Sequence, residues 1–177
     1  MKVNLSEFIS KTEKTYGLNA GEYFKAKEGD NRMRIVSDLV PHQSEFKGKK
    51  NFRFLCYVID RSDSVVKPYF MPMTIARSLE SLQSSPDYVF DGFPMPYDIN
   101  LTAKGAGSKE VVYNVIPARN NTPITSEEQE KIDSRVDIRE YQKILNEKQA
   151  EKGETTQQRF AEVPAPKEEI NVEDIPF

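Results

Sequence analysis

The chain has 177 residues, 37% of them hydrophobic and 30% charged, with a net charge of -3 and a mean hydropathy of -0.65. That length suits one domain with extensions, and the composition is too polar for a chain folded throughout. One cysteine, Cys56, excludes an internal disulfide, and with one histidine, His42, it excludes a usual structural zinc site, so no metal or cofactor is expected.

No apolar run approaches the roughly 18 residues of a membrane span. The N-terminus lacks the apolar stretch of a secretory signal, so the expected location is the cytoplasm. Charge is unevenly divided. Residues 1–119 carry 17 Lys+Arg against 14 Asp+Glu, whereas residues 120–177 carry 8 against 14, and 15 of the 18 aromatic residues precede position 120. A mildly basic, aromatic-rich body thus precedes a tail of charge -6.

In chain order, Leu5, Phe8, Ile9, Thr12 and Tyr16 recur at helical spacing, with Asn4 and Glu7 able to cap the start and Gly17 the end. Residues 1–20 are therefore an N-terminal helical segment. A domain over 21–122 follows. After the turn signal Gly29-Asp30, a first strand holds Met33, Ile35 and Val36 together with Arg32 and Arg34. Residues 41–50 read as a loop carrying Pro41, Phe46, Lys47, Gly48, Lys49 and Lys50.

Residues 51–61 are the clearest strand, and Ser62-Asp63-Ser64 turns it back into a third strand over 65–73. Pro68 and Pro72 mark that strand as an edge. A helix over 74–84, a Pro-rich loop, and strands at 97–104 and 109–117 joined by Gly105-Ala106-Gly107-Ser108 complete the domain. Three strands, a helix and two strands is the order of an OB-fold, a five-stranded barrel with the helix between strands three and four. A split-sheet α+β domain is the competing architecture.

Beyond it, Thr125 and Glu128 form a capping box for a helix over 126–149 with Ile138, Tyr141 and Leu145 on one stripe, which can pack on the barrel or on another subunit. This helical extension occupies 123–150. Residues 151–177 are a polar, disordered linker with Pro164 and Pro166, and then a tip.

Alternation along 51–61 assigns Phe52, Phe54, Cys56 and Val58 to the core and Arg53, Leu55, Tyr57, Ile59 and Arg61 to the outer face. Cations around a mid-strand tyrosine suit a flat anionic polymer: Lys and Arg neutralise phosphates, and rings stack on bases whatever their identity. The candidate contacts for single-stranded DNA are Arg32, Arg34, Phe46, Lys47, Lys49, Lys50, Arg53, Tyr57, Arg61, Tyr69, Arg77, Tyr97, Lys104 and Tyr113.

Catalysis finds little support. Gly105–Ser108 lacks the Lys-Ser/Thr pair of a phosphate loop. Asp60 and Asp63 flank a turn, as turn formers do. With one His and one Cys, nucleophile–base pairs are scarce. A non-enzymatic binding protein is expected.

The chain ends Glu173-Asp174-Ile175-Pro176-Phe177. Acids attract a basic groove, Pro176 limits the entropy lost on docking, and a terminal Phe with its own carboxylate can fill an apolar pocket beside a cation. This ending resembles the acidic C-terminus of bacterial single-stranded DNA-binding proteins, which usually close with Asp-Asp-Ile-Pro-Phe. Phe54-Leu55-Cys56-Tyr57-Val58-Ile59-Asp60-Arg61, Met95-Pro96-Tyr97-Asp98-Ile99 and Lys104-Gly105-Ala106-Gly107 are similar to segments of the bacteriophage type.

The resemblance implies sequence-independent binding and protection of single-stranded DNA, in the host cytoplasm if phage-encoded. It also implies recruitment of replication, recombination and repair proteins through Glu173–Phe177. Without Trp, stacking falls to Tyr and Phe. Neither the tetramer nor the zinc of some relatives is implied here, and homo-oligomerisation stays open. A single-stranded RNA-binding OB protein and a protein–protein adaptor remain alternatives.

Overall fold

The computed structural model describes residues 23–46 and 48–161, with backbone alone for Phe46 and 151–161. The expected N-terminal helix, Lys47 and the Glu173–Phe177 tip lie outside the described residues. The architecture is mainly β: strands β1 (Gly29–Ile35), β2 (Val40–Phe46), β3 (Lys49–Asp60) and β4 (Val65–Pro72), helix α1 (Met73–Gln83), strands β5 (Ile99–Lys104) and β6 (Val112–Pro117), and helices α2 (Ser126–Asp133) and α3 (Ile138–Ala161).

β3 is the spine of one antiparallel, six-stranded sheet. On one edge its first half pairs with β2, from Phe46↔Lys49 to Val40↔Leu55, and its second half with β1, from Ile35↔Val58 to Met33↔Asp60. On the other edge it pairs with β4, from Arg53↔Pro72 to Asp60↔Val65. β5 joins the far side of β1, and β6 lies beyond β5. β4 and β6 do not pair, so the sheet is not closed into a barrel.

The expected first strand and loop are thus two strands. Residues 41–50 form a hairpin around Gly48 (φ 73°), with Lys49 and Lys50 inside β3. The helix follows four strands rather than three. The break between β1 and β2 is narrow. Val36 N–H still donates to the Tyr57 carbonyl (3.0 Å), and the Ser37 hydroxyl accepts the Tyr57 N–H (2.8 Å), the bond a continuous strand would have made.

The edge assignment of β4 holds, since it pairs with β3 alone. Pro68 offers its carbonyl outward, where Phe24 N–H takes it at 2.9 Å. Asp60 and Asp63 shape the following turn, accepting from Ser62 N–H and Val65 N–H and holding Lys67 between them.

The main core lies between one sheet face and α1. Met33, Ile35, Cys56, Val58, Met71, Ile99 and Leu101 meet Ile75 and Leu79 of the helix and Phe90 and Met95 of the Pro-rich loop. The opposite face is also covered. Leu55, Tyr57 and Ile59 are buried, and the Tyr57 ring lies 5.8 Å from that of Tyr141 in the first turn of α3. β3 is therefore dry on both faces over residues 55–59, and Tyr57 is not on an outer, wet face.

The stripe residues Ile138 and Tyr141 pack on the sheet. The helix expected over 126–149 is two helices, broken at 134–137. There Asp137 caps α3, its carboxylate accepting the Arg139 N–H (2.8 Å). Contacts divide the chain after Gln142. In the second unit α3 continues to Ala161, through the first part of the expected linker. No described helix is long and apolar enough to cross a membrane.

Candidate nucleic-acid interface

Because β4 and β6 do not pair, a cleft of about 460 Å³ opens along the seam between them. One wall is the edge of β3–β4, with Arg53, Tyr69, Phe70 and Pro72. The opposite wall is Tyr113 of β6 and Gly107 of the β5–β6 loop, and the strand-free segment Tyr23–Ala26 forms a third side. Among the described residues the lining holds five aromatic rings (Tyr23, Phe24, Tyr69, Phe70, Tyr113) and two cations (Lys25, Arg53), with no carboxylate.

Contacts between the lead-in and distant strands and loops hold this placement. Phe24 sets its ring edge-on to Tyr69 (5.0 Å, 82°) and its N–H on the β4 edge. Asn31 braces the lead-in by accepting from Lys27 N–H (2.8 Å) and donating to the carbonyls of Lys27, Gly29 and Leu101. Glu28 accepts the N–H groups of Gly105 (3.3 Å) and Ala106 (2.8 Å), which fixes the loop carrying Gly107. Gly105 sits at φ 75°, where a side chain is strained, and a Cβ there would meet Ser108 Oγ at 3.2 Å.

Two further concavities differ in charge. The one of about 260 Å³ beside Tyr57 and Ile138 contains Asp38 and Asp137 with Arg135. The one of about 370 Å³ beside α1 contains Asp38 and Glu80 with Arg139.

Of the residues expected to contact DNA, Arg53, Tyr69 and Tyr113 meet in the seam cleft. Lys49 and Lys50 are exposed on the β2–β3 hairpin, continuous in sequence with Arg53, and Phe46 ends β2 opposite Lys49. Lys104 is exposed at the end of β5, at the start of the cleft's loop, and Arg77 is exposed on α1. Tyr97 belongs to a separate aromatic group, with Tyr88 at 5.9 Å and Phe90 at 6.4 Å.

Three of the expected contacts are engaged within the fold. Arg32, Arg34 and Arg61 all turn onto one fully buried carboxylate, Asp98 (2.9, 2.7 and 3.1 Å). The Arg34 and Arg61 side chains are only 4% and 8% exposed. Arg61 also pairs with Glu128 of α2 (2.6 Å), while Arg34 and Arg61 donate to the Thr122 carbonyl and Arg34 to Asn121. These guanidiniums are occupied in fastening residues 120–128 to the sheet. Tyr57 is buried as well: burial pushes its hydroxyl pKa up to about 12, and the Tyr141 ring of α3 lies against it.

Other shifts follow from burial and pairing. Burial and then Arg53 lower His42, whose ring lies 5.0 Å from Phe70. Burial raises the Cys56 thiol well above its ordinary value, so it is an inert core group. For Glu128, burial acts upward, but the Thr125 N–H and Arg61 outweigh it and hold the carboxyl below its usual value. Among the described residues no group of three His, Cys, Asp or Glu is placed to hold a metal ion.

Sequence reasoning missed Tyr23, Lys25 and Phe70, and placed Phe52 in the core, although Phe52 is 46% exposed beside Phe54 (5.7 Å, 85°). Tyr23 and Lys25 precede the first strand, where no periodicity singled them out. In comparisons with known proteins, no family model, curated protein or solved structure matched this chain.

Proposed function

We propose that this protein binds single-stranded DNA without regard to sequence, with the seam cleft and the basic β2–β3 hairpin as its contact surface. The observation that carries this reading is the cleft lining, five rings and two cations among the described residues, beside exposed Lys49 and Lys50. Rings offer stacking to any base and cations offer counter-charge to phosphates, the two terms that dominate non-specific single-strand binding.

An OB-type fold is the architecture we infer. If β1 and β2 are one bent strand, the pairings are those of a five-stranded OB sheet opened between its third and fifth strands. The bound strand would then run from the seam over Arg53 to Lys49 and Lys50. By its resemblance to bacterial and phage proteins, the chain protects exposed DNA and recruits replication, recombination and repair proteins through Glu173–Phe177. The chain beyond Gln142, with 8 Asp+Glu against 5 Lys+Arg, competes for the same cations when DNA is absent.

The test is fluorescence polarisation of a labelled single-stranded oligonucleotide over a salt series, with duplex DNA and matched RNA as competitors. With five phosphates neutralised, log K falls with log salt at a slope of about -3.5. Loss of residues 150–177 tightens binding at low salt. Equal competition by duplex, or no binding at low salt, overturns the reading, and preferred competition by RNA moves the function to that polymer.

A further inference from the structure

Tyr23 and Phe70 form a pair unlike the edge-on contacts around them. Their centroids are 5.3 Å apart and their planes only 33° from parallel, against 82° for Phe24–Tyr69. Both rings are partly exposed and both line the seam cleft, flanked by Lys25 and Arg53. Each ring therefore leaves part of its surface open inside the cleft, where a flat ligand can stack.

The pair is also held from behind. The Tyr141 hydroxyl donates to the Tyr23 hydroxyl at 3.1 Å, and Tyr141 is fully buried against Tyr57. On the far side of Phe70 lies His42 at 5.0 Å. A row of rings therefore runs from the covered half of the sheet, Tyr57 and Tyr141, to the open half, Tyr23 and Phe70.

We propose that Tyr23 and Phe70 are the platform on which the cleft stacks one nucleobase, with its flanking phosphates on Lys25 and Arg53, and that Tyr141 of α3 is the positioning residue for this platform. This rests on the single-strand reading above and deepens it. The stacking residue expected from sequence, Tyr57, is buried, and it reaches the ligand only through Tyr141 and Tyr23. α3 thereby becomes part of the binding site without touching the strand.

The test uses the full chain and two labelled probes of equal length, one a single-stranded oligonucleotide and one made of abasic sugar-phosphate units. Tyr23→Leu and Phe70→Leu each weaken binding to the first probe by about 5- to 150-fold, the range of one stacked base, at unchanged salt slope. On the abasic probe both variants equal the parent.

Tyr141→Phe keeps the ring and removes the hydroxyl, and with it the bond to Tyr23. It weakens oligonucleotide binding by about 2- to 12-fold, as expected for one neutral hydrogen bond, and has no effect in the Tyr23→Leu background. A parent that binds neither probe overturns the single-strand reading and the platform with it. A parent that binds while Tyr23→Leu and Phe70→Leu match it overturns the platform alone. An equal loss from Tyr141→Phe in both backgrounds overturns the positioning role.

Discussion

At the scale of single residues, arginine has two fates in this chain, and neighbouring positions divide between them. Arg53 stands exposed in the lining of the aromatic seam cleft, whereas Arg34 and Arg61 are buried on Asp98. Their substitutions should separate cleanly. Arg53→Ala should lower the magnitude of the salt slope by about 0.7 and leave the unfolding midpoint unchanged. Asp98→Asn strands buried guanidinium charge and should cost about 3–5 kcal/mol in denaturant unfolding. A stable Asp98→Asn protein with a lowered salt slope would reverse the two assignments.

Tyr57→Ala should cost about 3–5 kcal/mol through the cavity it leaves under α3. The sequence held a clue to this burial. Phe54 to Ile59 is an unbroken apolar run, the pattern of a strand dry on both faces, and strict alternation cannot tell that from one dry face. His42 adds a titration. Burial and Arg53 hold its pKa below the ordinary histidine value of about 6.5, so the unfolded chain takes the proton first and stability declines as pH falls below that value. His42→Phe should remove the near-neutral part of that decline in a series of midpoints against pH.

At the scale of elements, helix ends were legible and helix continuity was not. Thr125 and Glu128 form the expected capping box: the Thr125 hydroxyl accepts the Glu128 N–H (3.2 Å), and Glu128 accepts the Thr125 N–H (3.0 Å). A short local pattern fixes such a cap. The same Glu128 pairs with Arg61, a contact 67 residues away that no local pattern announces. Thr125→Ala should therefore cost about 1 kcal/mol.

Because the folded Glu128 pKa is depressed, its contribution is complete above the ordinary carboxylate range and is lost as pH falls through the folded value. Glu128→Gln should flatten that acid limb of the stability curve. Strand boundaries show the same division. Pro68 and Pro72 correctly marked an edge, because a missing N–H is a property of the residue itself. Pro41 suggested a loop, yet β2 pairs through it, since its only neighbour in that stretch is β3.

At the scale of the molecule, contacts separate residues up to Gln142 from those beyond. The described core residues all lie in the first unit, so a fragment of residues 1–142 should unfold at nearly the parent midpoint in a thermal melt. A fall of more than a few degrees would place essential packing in the second unit.

The sequence by itself determined the mainly β class, the order of strands after Asn51, the edge character of β4, the first helix, the capping box and the acidic, polar tail. These follow from periodicity, turn residues and composition, which act over a few residues. Only the tertiary structure decided which cations face solvent, that helices cover the face carrying Tyr57, and that the seam between β4 and β6 gathers Tyr23, Lys25, Arg53, Phe70 and Tyr113. Those outcomes depend on distant partners, such as Asp98 for Arg34, 64 positions away, and Asn120 for Arg32, 88 positions away. A buried carboxylate requires partners at close range wherever the chain supplies them, and no local pattern records which ones it will take.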